Sequence, residues 1–111
     1  MIVADYWPHE NHLAIEGHAG SVEQGFDPVC CAASTIAYTL ANYLASNHAF
    51  QMKCDGREGK GAFMDIRAKP YMSYVNECRA AFDMAAAGFE MLQEEYPGCI
   101  EFNTHIAGGD E

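Results

Sequence analysis

Leu13-Ala14-Ile15-Glu16, then Gly17-His18-Ala19-Gly20, then, past a short polar loop, Asp27-Pro28-Val29-Cys30-Cys31-Ala32-Ala33-Ser34 read in turn as a strand, a glycine-bracketed turn and the start of a helix. Asp27 is a good N-cap, Pro28 suits the first helical position, and from Val29 the apolar residues Val29, Ala33, Ile36, Leu40 and Leu44 keep helical spacing to about Ser46, with Asn47 a terminator. The strand delivers His18 and the helix delivers Cys30, twelve positions later, in its first turn. Unpaired N–H groups and the helix dipole favour a thiolate there, and a histidine within reach completes a nucleophile and base pair.

Outward from this junction, residues 2 to 7 read as a first strand, separated from Leu13–Glu16 by the polar turn His9-Glu10-Asn11-His12. Phe50, Met52 and Cys54 alternate, Asp55 to Gly61 supply turn chemistry, and Met64, Ile66 and Ala68 alternate again, which predicts a hairpin. Pro70 is read as opening the longest helix, in which Tyr71, Tyr74, Cys78, Phe82, Phe89 and Leu92 form a three-to-four spaced stripe ended by Pro97-Gly98. Tyr71 and Tyr74 are expected with Phe82 and Phe89 among the core and interface aromatics, and Glu90, Glu94 and Glu95 on a solvated face. Ile100, Phe102, Thr104 and Ile106 predict a closing strand, and Gly108 to Glu111 a frayed tail. The expected fold is α+β, a single domain over residues 1–111 in ββαββαβ order, with a small mixed or antiparallel sheet and two helices packed as a layer. Strand order does not follow from the sequence.

The 111 residues are half apolar, enough for one core, and sixteen acids against six bases give a net charge of −10. That charge opposes phosphate backbones and anionic membranes and favours a basic protein or peptide partner, so no nucleic-acid or membrane partner is expected. No apolar run approaches eighteen residues and no secretory leader is visible, which points to the cytoplasm. Five cysteines, two adjacent and none in a Cys-x-x-Cys pair, argue for reduced thiols. Cys54, Cys78 and Cys99 read as small core residues and Cys31 as a packing residue. His9, His12 and His18 with Cys30 or Cys31 match no zinc pattern, and no metal or cofactor is expected; His48 and His105 are isolated along the chain.

At the candidate site, backbone N–H groups around Cys30 and Cys31 are the natural oxyanion donors. Asp27 either caps the helix or orients His18, and Ser34, one turn beyond Cys30, either touches the thiolate or bonds back to its own helix. Gly17, Gly20 and Gly25 give the loop from Gly17 to Phe26 the freedom to gate access.

Gly-His-Ala-Gly at 17–20 with Gly25, Asp27, Cys30, Ala32 and Ser34 resembles the signature of the ribosomal-processing cysteine protease family Prp, in a bacterial or phage-borne form. The chain departs from the family's usual pattern at Ser21, Val22, Gln24, Pro28 and Cys31. The resemblance implies a Cys30–His18 dyad supported by Asp27 and Ser34, and a homodimer. It implies removal of an N-terminal extension from a large-subunit ribosomal protein, cut after an aromatic residue, or from a phage capsid protein with a similar site. The competing expectation is a non-catalytic acidic dimeric module binding a basic ribosomal or capsid protein.

Overall fold

A computed structural model of the chain describes residues 1–22, 25–57 and 63–106. Five strands, β1 (Ile2–Trp7), β2 (His12–Glu16), β3 (Phe50–Arg57), β4 (Phe63–Pro70) and β5 (Ile100–Thr104), alternate with two helices, α1 (Pro28–Ala45) and α2 (Val75–Glu95), in the expected ββαββαβ order. The strands form one mixed sheet in the order β3-β4-β2-β1-β5, antiparallel except where β5 runs parallel to β1.

The helices make crossovers: β2 leads through α1 to β3, and β4 through α2 to β5. β2 and β4 run in opposite directions and their crossovers move towards opposite edges, so connections of one hand place both helices on the same face. On that face Ile2, Ala4, Tyr6, Leu13, Ile66 and Ile100 from the sheet meet Val29, Ala37, Leu40 and Leu44 of α1 and Cys78, Phe82 and Phe89 of α2. Gly88 lets the helices approach closely, since a Cβ there would lie 2.9 Å from Ile36 Cδ1. The Tyr6 hydroxyl crosses the layers to donate to Asp83 Oδ1 at 2.6 Å, and burial, then this bond, push the phenol well above its ordinary range.

The sheet's other face carries a polar stack. The Trp7 indole lies between the rings of His12, 4.5 Å away, and His105, 4.7 Å away. His12 Nε2 meets Asp65 Oδ1 at 2.8 Å and His105 Nε2 meets Asp5 Oδ1 at 2.9 Å. At the β5 edge, the Phe102 N–H donates to Gln93 Oε1 of α2 at 2.7 Å.

Several boundaries differ from expectation. Pro70 closes β4 opposite Phe50, and a 3-10 turn at Met72–Tyr74 precedes α2, which therefore starts at Val75. Pro70 lacks only an N–H, which a strand end tolerates. Tyr71 and Tyr74 consequently lie outside the helix and are exposed, so they leave the core. β2 begins at His12, which is buried although it reads as a turn residue, and β5 stops at Thr104, leaving Ile106 exposed. Of the predicted hairpin turn, Asp55, Gly56 and Arg57 belong to β3, while residues 58–62 and the tail 107–111 lie outside the described residues. Glu90, Glu94 and Glu95 are solvated as expected. Among the described residues no helix is long and apolar enough to cross a membrane.

Candidate active site

β2 ends at Glu16 and the chain turns at Gly17, whose φ is +99° and whose α-carbon hydrogens face the Met1 carbonyl, where a Cβ would overlap that oxygen. Only glycine combines this backbone with this approach. His18 is exposed, whereas Ala19 beside it is buried. Gly20 and Gly25 also have positive φ, and residues 23 and 24 of the predicted gating loop, Gln24 among them, lie outside the described residues.

Asp27 caps α1 in extended conformation (φ −108°, ψ 110°), and its Oδ1 accepts from the N–H groups of Val29 at 2.9 Å and Cys30 at 3.2 Å. Asp27 thus caps α1 with its side chain. The same carboxylate also takes the Ser21 N–H on Oδ2 at 2.9 Å and the Ser21 hydroxyl on Oδ1. These donors, the Ser21 hydroxyl foremost, hold the Asp27 carboxyl down at about 2, so it is charged throughout the neutral range. Asp27 therefore ties the Gly-His-Ala-Gly loop to the start of α1.

Cys30 is half-buried in the first turn of α1, and its Sγ accepts the Ala19 N–H at 3.2 Å. This bond brings the loop peptide that follows His18 onto the sulfur. Ser34, one turn on, is exposed. Two expectations change here. The Cys30 N–H is taken by the Asp27 side chain, and the Cys31 N–H by the Asp27 carbonyl at 3.0 Å, so both expected oxyanion donors are engaged in holding the helix start. Cys31 itself is exposed, because adjacent residues on a helix project about 100° apart and Cys30 already faces inward.

Among the remaining thiols, Cys78 is buried as expected, while Cys54 is exposed on the edge strand β3, where little covers it. Burial pushes the Cys78 thiol up; desolvation, then the charges of Asp55 and Asp65, do the same to Cys54. Neither is disposed to be a thiolate. The described residues contain no group of three or more His, Cys, Asp or Glu placed to hold a metal ion, and His12 is engaged instead with Asp65 and Trp7. Sequence reasoning missed Ser21, whose only signal was a hydroxyl six residues before the capping aspartate, and His105, whose partners Asp5 and Trp7 are distant in the chain.

A half-buried cysteine at a capped helix start, with a histidine loop bonded to its sulfur, is the arrangement of a thiol hydrolase. Residues 1–101 match the family of cysteine protease Prp, and the chain belongs to that family of cysteine proteases. No curated protein matches it in sequence. Among solved structures it is similar to the essential ribosomal processing protease Prp of Staphylococcus aureus in complex with a covalently linked product peptide, at 22% identity and a TM-score of 0.79, covering 95% of this chain and all of that one. The same protease in complex with a substrate peptide matches at 20% identity, a TM-score of 0.74 and the same coverage. A protein of Streptococcus mutans matches at 25% identity and a TM-score of 0.74, covering 95% of this chain and 92% of that one.

Proposed function

We propose that this chain is a cytoplasmic endopeptidase that removes an N-terminal extension from a large-subunit ribosomal protein, with Cys30 as nucleophile and His18 as base and acid. The observation that carries the assignment is the 3.2 Å bond from the Ala19 N–H to Cys30 Sγ, which joins the histidine loop to the thiol. Membership of the Prp family and the fold shared with a ribosomal processing protease support this choice of substrate class. The charge of −10 suits a basic ribosomal protein, and equally a capsid protein should the chain be phage-borne.

Asp27 supports the site as a cap, Ser34 lies within one turn of the thiol, and the loop from Gly17 to Phe26 governs access. The working form is a homodimer. The open apolar groove of about 560 Å³ on the α1–α2 face, lined by Ile36, Leu40, Tyr43, Ala81, Met84 and Gly88, supports this reading because it leaves apolar surface uncovered in the single chain.

Peptides spanning the N-termini of ribosomal large-subunit proteins and of phage capsid proteins, incubated with wild type, Cys30→Ala and Cys31→Ser and read by mass spectrometry, test the assignment. Cleavage is expected with wild type and Cys31→Ser and abolished in Cys30→Ala, and the peptide cut distinguishes the two substrates. Activity that survives Cys30→Ala, or no cleavage together with a Cys30 inert to iodoacetamide, would sink it.

A further inference from the structure

Attack of the Cys30 thiolate on a peptide carbonyl forms an S–C bond and drives the carbonyl π pair onto oxygen, so negative charge leaves sulfur and appears on an atom bonded to the carbon just attacked. A donor must meet that oxygen. The two N–H groups at the start of α1 are engaged, that of Cys30 with Asp27 Oδ1 and that of Cys31 with the Asp27 carbonyl in the first bond of the helix. Freeing the second would unravel the turn that holds the nucleophile.

The Ala19 N–H is placed differently. It points at Sγ from 3.2 Å, on a buried residue, and its bond is to the atom that gives up its charge in the reaction. As charge passes from sulfur to the neighbouring oxygen, the same N–H follows it with a small change of direction. We propose that the main-chain N–H of Ala19 is the oxyanion donor of this protease, and that Ser21 is the positioning residue that holds it through Asp27. Ser21 is suited to this because it fixes the loop twice, through its own N–H to Asp27 Oδ2 at 2.9 Å and through its hydroxyl to Oδ1, two residues beyond the donor. The carboxylate that receives it also holds Val29 and Cys30, so donor and nucleophile share one anchor.

The cycle balances with no outside reagent but water. Collapse of the intermediate breaks the scissile C–N bond, the departing amine takes the proton of the His18 imidazolium, and a thioester remains on Cys30. Neutral His18 then takes a proton from water as its oxygen adds to the thioester. The second oxyanion meets the same Ala19 N–H, and collapse releases the carboxylic acid and restores the thiolate with protonated His18.

This inference rests on Cys30 being the nucleophile, and its test separates the two. The full chain is assembled by ligation with the His18–Ala19 amide replaced by an ester, which removes the N–H and keeps the side chains. Cleavage of the ribosomal N-terminal peptides and alkylation of Cys30 by iodoacetamide are measured on the same samples. The expected result is a fall in kcat of about 100-fold or more, the scale of losing one oxyanion donor. Alkylation is expected to slow by less than about tenfold, because it forms no oxyanion and registers only the lost bond to sulfur. Ser21→Ala is expected to lower kcat about tenfold with KM unchanged, and Ser21→Thr to restore it. Full activity in the ester, or losses of cleavage and alkylation in equal proportion, would overturn the donor role. A wild type as inert towards every peptide as Cys30→Ala would instead overturn the protease assignment, and this role with it.

Discussion

Replacing Gly17 by alanine tests how the fold holds the histidine loop. At φ +99° an L-residue meets the strain of left-handed backbone, about 1–2 kcal/mol, which Gly20→Ala at φ +69° meets as well. The two positions differ in space: a Cβ on Gly20 has nothing within 4 Å, whereas one on Gly17 overlaps the Met1 carbonyl oxygen, which belongs to backbone and moves only if the start of β1 moves. Overpacking of that kind adds about 1–3 kcal/mol. Gly17→Ala is thus expected to lose roughly 2–5 kcal/mol, against about 1–2 for Gly20→Ala. For a domain near this size each kilocalorie shifts Tm by about 4 °C or more. Urea unfolding followed by the fluorescence of Trp7, the single tryptophan, reads both variants. Equal destabilisation of the two would refute the close approach. Because His18 follows directly, Gly17→Ala is also expected to lose more activity than its remaining folded fraction accounts for.

Tyr6→Phe removes a hydrogen bond to a carboxylate that solvent reaches, and is expected to cost about 1–2 kcal/mol in the same urea assay, with no change in peptide cleavage. His12→Ala leaves Asp65 without its imidazole and Trp7 without one stacking face. A loss of about 1–3 kcal/mol is expected, and a neutral result would show that the stack is ornamental to stability. Asp27 has a folded value of about 2, below the ordinary value of 3.8. Its tie to Ser21 and α1 therefore adds stability that is complete above the unfolded value and is lost as pH falls through about 2. Carbon NMR of the Asp27 carboxyl between pH 1.5 and 5 should show the midpoint low in wild type and raised in Ser21→Ala.

The local signals in the sequence were sound where one element explains itself. Period-two and period-four apolar spacing located five strands and two helices, and the residues flanking Val29 marked the α1 start because cap, proline and apolar stripe agree there. Strand order was not legible, since both crossovers skip neighbours and nothing local records where a returning strand docks. Pro70 misled because proline suits a strand end as well as a helix start, and Tyr71 and Tyr74 followed it out of the core. At the site, Cys30 and His18 stand in a recognisable spacing, but the engagement of the helix N–H groups depends on a single carboxylate serving two segments, a fact of packing. His12 and His105 look idle in a linear text because Trp7, Asp5 and Asp65 reach them only across the sheet.

The bond from the Phe102 N–H to Gln93 makes the two rims of the molecule unlike. α2 packs over β5 and spends a side chain on sealing that rim, so an incoming extended chain must evict Gln93 to pair there as a sixth strand. α1, which carries Cys30, packs over the opposite rim at β3. Recruitment of foreign backbone is thereby discouraged on the rim far from the helix bearing the thiol, giving a small symmetrical-looking sandwich a front and a back.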